Sequence, residues 1–515
     1  MTSPTRLHMQ RTRDLATSLS KDDVYDWLMT FGYFPESYVL PPCFSVIKRP
    51  KTKKLFYKYG QNPHVDITEC VKVHFPKSEL TDRTFGIIDP NIHNDIALTI
   101  SNNWVRIVKK MIPNDSLVAS YSFPVPINSK TPGRLGTLRS GRLIYEFIDM
   151  TDDDLSSIAY KYTHIVKADI KNFYPSIYTH SIAWAIHGKK NIRLPKKRRN
   201  YDLLGNKLDK LFQNMNDGCT NGIPIGPVVS DIASEIVSAS VDRIFSKFLS
   251  KKKIDCEAVR FKDDYRILVK SESDAKSAIK YLQYALKEFN LELSDEKTKI
   301  QELPNGLFRE WVSKYHAVYP EKRETFSWKQ FRELYLAVIE IDKSCQGTGV
   351  IDRFLADIIT DKGILKVQVG TSNLERVISM LLMLGNLRIK AFPKIIAILE
   401  SVLKSPLGIL HKNEIVLYLE GFLKKLSEEE NRNKYLISWI CYFLVSNNLE
   451  SLLKFKPKFE DPVTLSIFGN KGLLFNSRSD FELFIDCKKA AKEVTMLEHL
   501  EVFKPPKLLY GNDYP

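Results

Sequence analysis

Two adjacent carboxylates, Asp263 and Asp264, stand in the run Phe261-Lys262-Asp263-Asp264-Tyr265, between the apolar and β-branched stretches 259–261 and 265–269. These stretches predict two strands joined by a tight acidic turn. Paired carboxylates that pack inward repel each other and lose solvation, so they add little to a fold unless a cation sits between them; facing solvent, they are an ordinary turn. A third acid, Asp169, ends the apolar run Ile165-Val166-Lys167-Ala168, just before Phe173 and Tyr174. It could simply cap a following helix. Strand-end carboxylates from separate segments can also converge on an octahedral Mg²⁺ pair that binds substrate phosphates, the chemistry of metal-assisted phosphoryl transfer. Between them, Gly222, Pro224, Gly226 and Pro227 fix a loop that lets a flat ligand approach the backbone. Ile232, Ala233, Ile236, Val237 and Val241 then give a supporting helix its apolar face.

Elements able to position these groups follow from periodicity. Residues 165–168 read as a strand, 259–269 as a hairpin, and 274–290 as a crossover helix with Ala278, Ile279, Leu282, Leu286 and Phe289 at helical spacing. From Asp66 to about Leu303, strands alternate with helices, the pattern of an α+β domain. Residues 1–65 show little periodicity and read as an irregular N-terminal lobe. Beyond about residue 310 the pattern is helical. Ser372 and Glu375 form an S-x-x-E capping box, and a stripe of Leu374, Val377, Ile378, Leu381 and Leu382 stops at Gly385. Two further stripes run through Ile395, Ile396, Leu399, Val402 and Leu403, and through Ile415, Tyr418, Leu419, Phe422, Leu423 and Leu426. Alternate helices start about 40 residues apart, the spacing of HEAT-type helix pairs, although an irregular bundle fits nearly as well. Residues 435–445 are apolar over more than one face, which calls for a second helical layer or another protomer to cover them.

The chain has 515 residues, too many for one ordinary core, and its 43% hydrophobic and 11% aromatic content excludes global disorder. Lys and Arg outnumber Asp and Glu by 76 to 61, a formal +15 that favours a polyanionic partner. Seven cysteines, odd in number and without a CxxC pair, argue against a disulfide framework or zinc module and suit a reducing cytoplasm. The start, MTSPTRLHMQRTRD, lacks the apolar core of a signal peptide. No apolar run approaches the roughly 20 residues needed to span a bilayer, so no membrane association is expected.

In order and spacing, the segments around Asp169, residues 221–242 and Asp263-Asp264 resemble motifs A, B and C of reverse transcriptases. Residues 291–300, LELSDEKTKI, resemble motif D. The resemblance covers roughly residues 75–305. It implies a right-hand polymerase fingers and palm, with Asp169, Asp263 and Asp264 holding two Mg²⁺ ions (Mn²⁺ as the alternative). Lys297 would lie near the leaving pyrophosphate, with Lys299 as its competitor. Tyr174 would be the steric gate that selects deoxynucleotides, and Gly222, Pro224 and Gly226 would form the loop against the substrate. Arg83, in PKSELTDRTFGI, matches more loosely the basic fingers residue that holds the incoming triphosphate. One departure is Lys262, where motif C usually carries a small or apolar residue. That lysine could contact primer phosphate, depress the carboxylate pKa values or point to solvent.

The phrase NFYPSIYTHSIAWAIHGK, the FxDDY core and the long helical C-terminal region look most like bacterial defence-associated reverse transcriptases, the AbiK-type and "unknown group" enzymes. That resemblance implies a helical-repeat C-terminal domain, homo-oligomers, phage defence, and DNA synthesis that is RNA-templated or template-independent and starts from a protein tyrosine. Tyr25, Tyr33, Tyr38, Tyr57 and Tyr59 are all available, and the sequence does not choose among them. The expected organisation is an N-terminal lobe (1–65), fingers and palm (66–310) and an all-α, HEAT-like region (311–515). The expected partners are deoxynucleoside triphosphates, RNA or DNA, and a non-coding RNA or partner protein. The basic stretch 189–199, with Lys196, Lys197, Arg198 and Arg199, is either a phosphate-contacting loop or a solvated one. Rival readings are a retron-like or group II intron-like enzyme, a catalytically silent nucleic-acid scaffold, and an interaction protein acting through its helices.

Overall fold

The computed structural model describes residues 3–59, 63–77, 81–122, 150–320, 324–360 and 363–500. Its strands are β1 (Phe44–Lys48), β2 (Val71–Pro76), β3 (Asp82–Ile87), β4 (Val118–Ser120), β5 (His164–Asp169), β6 (Cys256–Phe261), β7 (Asp264–Val269), β8 (Lys299–Glu302) and β9 (Glu482–Phe484). Five of them make the central sheet in the order β4-β6-β7-β5-β8, with β4 parallel to β6 and the other pairs antiparallel. Strands β2 and β3 form a separate hairpin, and β1 pairs with β9.

The period of two along each strand decides what faces where. Val166 and Ala168 of β5, Ala258 of β6, and Tyr265, Ile267 and Val269 of β7 share one core with the helices Val228–Lys251 and Glu272–Lys287. The alternate residues Ile165, Val259 and Leu268 pack into a smaller cluster on the opposite face, with Leu155, Ile158 and Leu307. Asp169 and Asp264 fall in step with this second set, so they project on the face away from the two long helices.

Residues 1–65 were expected to be irregular. Instead they contain the helices Pro4–Ser18 and Lys21–Met29, capped by the Ser3 and Ser20 side chains. The first helix escaped notice because its buried stripe is polar or small: Thr5, His8, Thr12 and Ala16 are all nearly fully buried. His8 stacks on Tyr121 with ring centroids 4.0 Å apart, and Thr5 bonds to Glu257.

Beyond residue 310 the chain is helical but not all-α, because β9 lies in this region and pairs with β1, and two details of the helical reading fail. The Ser372 and Glu375 capping box does not form: the helix Leu374–Leu387 starts after Asn373, whose carboxamide accepts from the Gly370 N–H at 2.7 Å. Gly385 does not end that helix; a Cβ there would lie 2.6 Å from the Phe392 ring, so the glycine serves close packing. Residues 435–445, within the helix Glu430–Ser446, are buried throughout. They are covered by the chain's own helices Phe392–Lys404, Lys412–Ser427, Pro462–Phe468 and Cys487–Glu493. A core helix surrounded in this way makes a bundle rather than a single layer of repeated pairs, and its burial removes the sequence argument for a second protomer. The same core takes in Tyr33, Phe34, Val39 and Leu40 and the Val73, Phe75 and Phe85 face of the β2–β3 hairpin. Among the described residues no helix is long and apolar enough to cross a membrane.

Candidate active site

The β6–β7 connection is the two residues Lys262 and Asp263, with Lys262 in the left-handed region at φ +53°. Antiparallel pairing sets Asp169 opposite Asp264. The Asp263 carbonyl accepts from the Ile170 N–H at 3.1 Å, which ties the turn to the end of β5. The three acids singled out in the sequence are thus brought together. Loss of solvation first, and then the Asp263 and Asp169 carboxylates, push Asp264 up to about 7, although its side chain still reaches solvent. Burial and Asp169 likewise raise Asp263. Lys297, on the short turn Asp295–Lys297, reaches in and donates to Asp169 Oδ2 at 2.8 Å. Lys299 is instead paired opposite Lys167 along β8.

Among the described residues no three His, Cys, Asp or Glu side chains form a ready-made metal cage. The donor set nevertheless fits Mg²⁺, a hard ion that binds through one or two carboxylates, keeps several waters and takes substrate phosphates to complete its shell.

Beneath the turn lies a buried ionic network that the sequence reading missed. Arg260 points from β6 into the helix Val228–Lys251, donating to Glu235 at 2.8 and 3.0 Å and to Asp242 at 2.9 Å. It also donates to the Lys262 carbonyl at 3.1 Å, and Tyr265 donates to Asp242 at 2.7 Å. The Lys262 N–H bonds to the Ser122 hydroxyl. The signal was present in the helix itself: Asp231, Glu235 and Asp242, at i, i+4 and i+11, lie on one face of a helix whose residues up to 242 are otherwise apolar or small, and a largely buried acidic stripe needs a cation.

Tyr174 is buried, and its hydroxyl bonds to Asp231 in the first turn of that helix. The Lys262 ammonium lies 3.6 Å from Asp231 Oδ1, so the residue that departs from the motif turns toward Asp231 rather than to open solvent. Burial opposes its charge, but Asp231 and then Tyr174, Glu36 and Tyr38 hold its pKa above the ordinary lysine value. Tyr38 in turn feels Glu36, Lys262 and Arg83. This N-terminal contribution to the site was not legible, because nothing in residues 33–40 marks them as neighbours of Lys262.

The glycine loop is held as its residues require. Gly222 has φ +83° and donates to the Ile177 carbonyl at 2.9 Å; Gly226 has φ +122°, and a Cβ there would lie 2.9 Å from Pro35. Pro224 packs so closely on Gly86 that a Cβ on Gly86 would come within 2.7 Å of it. The Gly86 N–H donates to the Ile225 carbonyl at 3.0 Å, fastening the loop to β3. Arg83 is exposed on β3 opposite Phe75, on the hairpin and not among the carboxylates. Lys196, Arg198 and Arg199 are exposed on the connection before the helix Leu204–Asn214, whereas Lys197 is half-buried and donates to Asn191 at 2.6 Å.

Residues 117–328 match the family described as "Reverse transcriptase (RNA-dependent DNA polymerase)". No curated protein matches the chain. Similar solved structures include telomerase from Candida albicans with a fragment of telomeric RNA (13% identity, 80% of this chain and 66% of that one, TM-score 0.28). Two others are apo telomerase from Candida tropicalis (11%, 83% and 72%, 0.35) and its complex with a telomeric RNA fragment (14%, 79% and 64%, 0.29). The chain spans about two thirds of the length of these telomerase chains, between 64% and 72%. The family match covers the strands, the turn and the loop that assemble Asp169, Asp263 and Asp264, and it does so with a fingers-and-palm architecture. The chain therefore carries a reverse transcriptase domain, of the RNA-directed DNA polymerase class of nucleotidyltransferases.

Proposed function

We propose that the chain adds deoxynucleotides to a primer hydroxyl by two-metal phosphoryl transfer. The observation that carries this is the convergence of Asp169, Asp263 and Asp264 from two segments, with the Lys297 ammonium already on Asp169. The three carboxylates would hold two Mg²⁺, which supply charge stabilisation for the attacking and leaving oxygens. Lys297, held on Asp169, would give a proton to departing pyrophosphate. Tyr174, bonded to Asp231, would be the residue that limits room for a 2′-hydroxyl. Incorporation of labelled dNTPs with RNA template, with DNA template and with none distinguishes templated from untemplated synthesis; no incorporation under any of these conditions refutes the reading.

For a start on protein, Tyr38 is the favoured tyrosine. The Tyr25 hydroxyl is committed to Asn94, Tyr33 to the Ile88 carbonyl, Tyr57 to Asp66 and Tyr59 to Asp95. The Tyr38 hydroxyl is also bonded to a carboxylate, that of Glu36, but it alone of the five is set beside Lys262 of the acidic turn. A DNA–protein adduct that survives denaturation and is lost in Tyr38→Phe supports this; an adduct unchanged in that variant excludes Tyr38.

Antiphage defence rests on the AbiK-type resemblance together with the helical C-terminal region. Bacteria expressing wild type or Asp263→Ala, challenged with a phage panel, test it, and equal plaque counts throughout count against it. Self-assembly rests on that resemblance alone and is decided by sedimentation.

A further inference from the structure

The junction between the β2–β3 hairpin and the C-terminal helices gathers like charges. Because Phe75 pairs with Arg83 and strands alternate, Phe75, Lys77, Arg83 and Phe85 share one face of the hairpin. The C-terminal region covers Phe75 and Phe85 on that face and leaves Lys77 and Arg83 exposed. The Tyr435 ring meets Phe75 edge-on at 4.9 Å, Tyr435 donates to the Tyr38 carbonyl at 2.7 Å, and the Lys390 ammonium lies 5.7 Å from the Phe75 ring centroid. Arg388 and Lys394 flank it, 3.6 and 3.1 Å from Asp352. Among the described residues, Lys77, Arg83, Arg388, Lys390 and Lys394 are thus set against the carboxylates of Asp352 and Asp342. Burial first, then Arg388 and Arg83, pull Lys390 down to about 8, the mark of a half-buried cation facing others.

Packing of the apolar residues forces these cations together, and an anion of several charges would relieve their repulsion. The cluster borders the carboxylate centre: Lys262 and Lys297 act on Asp263, and Tyr38 feels both Lys262 of the acidic turn and Arg83 of the hairpin. A triphosphate must reach the metal carboxylates, while an extended phosphodiester strand can cover both places.

We propose that Lys390, with Arg388, Lys77 and Arg83, forms a site for the phosphodiester backbone of a nucleic-acid strand, shared between the fingers hairpin and the C-terminal helices. The proposal rests on the polymerase reading of the carboxylate site.

The test is binding of a fluorescein-labelled single-stranded oligonucleotide across a salt series by the full chain, for wild type, Lys390→Ala, Lys390→Arg and Lys77→Ala/Lys390→Ala. Calorimetry with inorganic tripolyphosphate and thermal melts accompany it. Each lost contact removes about 0.7 from the log–log salt slope of a single strand, so the single variant loses about that and the double variant about 1.4. Lys390→Arg keeps the slope. An unchanged slope in the folded double variant overturns the site, and so does weaker binding of tripolyphosphate with intact oligonucleotide binding. Binding is read apart from incorporation. A wild type that polymerises while the variants bind normally refutes only this site; a strand bound here by a chain that does not polymerise refutes only the activity.

Discussion

Arg260→Met removes what is, among the described residues, the only cation bonded to two almost wholly buried carboxylates, Glu235 at 4% and Asp242 at 2% side-chain exposure. Breaking a buried ion pair from one side costs about 3–5 kcal/mol, because the partner charge is left behind. Asp242 keeps its bond from Tyr265 at 2.7 Å and can take up a proton, so the loss is not doubled. Set against a domain stability of about 5–15 kcal/mol, the variant still folds but melts at a much lower urea concentration. The pH dependence has a definite sign. Burial already raises Asp242 to about 6, even with Arg260 beside it, and without Arg260 it rises further. A carboxyl whose folded pKa exceeds its unfolded value of about 3.9 binds protons more tightly in the folded state, so stability falls as pH rises between the two values. The deficit of Arg260→Met should therefore be smaller at pH 5 than at pH 8, and adding Glu235→Gln should recover part of it. Because Arg260 also holds the Lys262 carbonyl, kcat should fall while KM for dNTP changes little. A urea-melt deficit below about 1 kcal/mol, or one that is constant from pH 5 to 8, would refute the reasoning, since an uncompensated buried charge costs more than that.

Lys297→Ala should slow incorporation by on the order of 100-fold, at the lower end of general-acid contributions, with Lys297→Arg retaining more rate and Lys299→Ala having little effect; single-turnover kinetics report this. Tyr174→Ala should raise rNTP use relative to dNTP, whereas Tyr174→Phe keeps the ring and the selection and loses about 1 kcal/mol of stability with the Asp231 bond; competition incorporation and urea melts separate the two. Neutralising Lys196, Arg198 and Arg199 together should lower the salt slope for a single strand by about 0.7 per contact made. Neutralising Lys197 alone should do less, because its ammonium is already bound to Asn191.

What the sequence made legible was what repeats at short range. Short apolar runs placed β5, β6 and β7, the motif resemblance set Asp169 with the acidic turn, and periodicity found the helices carrying Leu282 and Leu419. What it hid depends on long-range partners. The helix Pro4–Ser18 buries Thr5, His8 and Thr12, which no hydrophobic pattern marks. Its anchors, Tyr121 and Glu257, lie more than a hundred residues away. The acids Asp231, Glu235 and Asp242 were visible as a stripe but unreadable without Arg260 and Lys262 opposite them. Tyr38 carries no local signal at all. The failed capping box shows the converse: Ser372 and Glu375 have the right spacing, but Asn373 closes the turn onto Gly370 first.

The most direct measurement is Mg²⁺-dependent incorporation of labelled dNTP by wild type and Asp263→Ala, with folding of both followed by thermal melting. Asp263 sits in the turn beside Asp169 and Asp264 and is raised by both burial and Asp169. Replacing it removes charge from a crowded carboxylate set, so the melting temperature should hold or rise while incorporation disappears. Full incorporation by Asp263→Ala would contradict the assignment of the metal site.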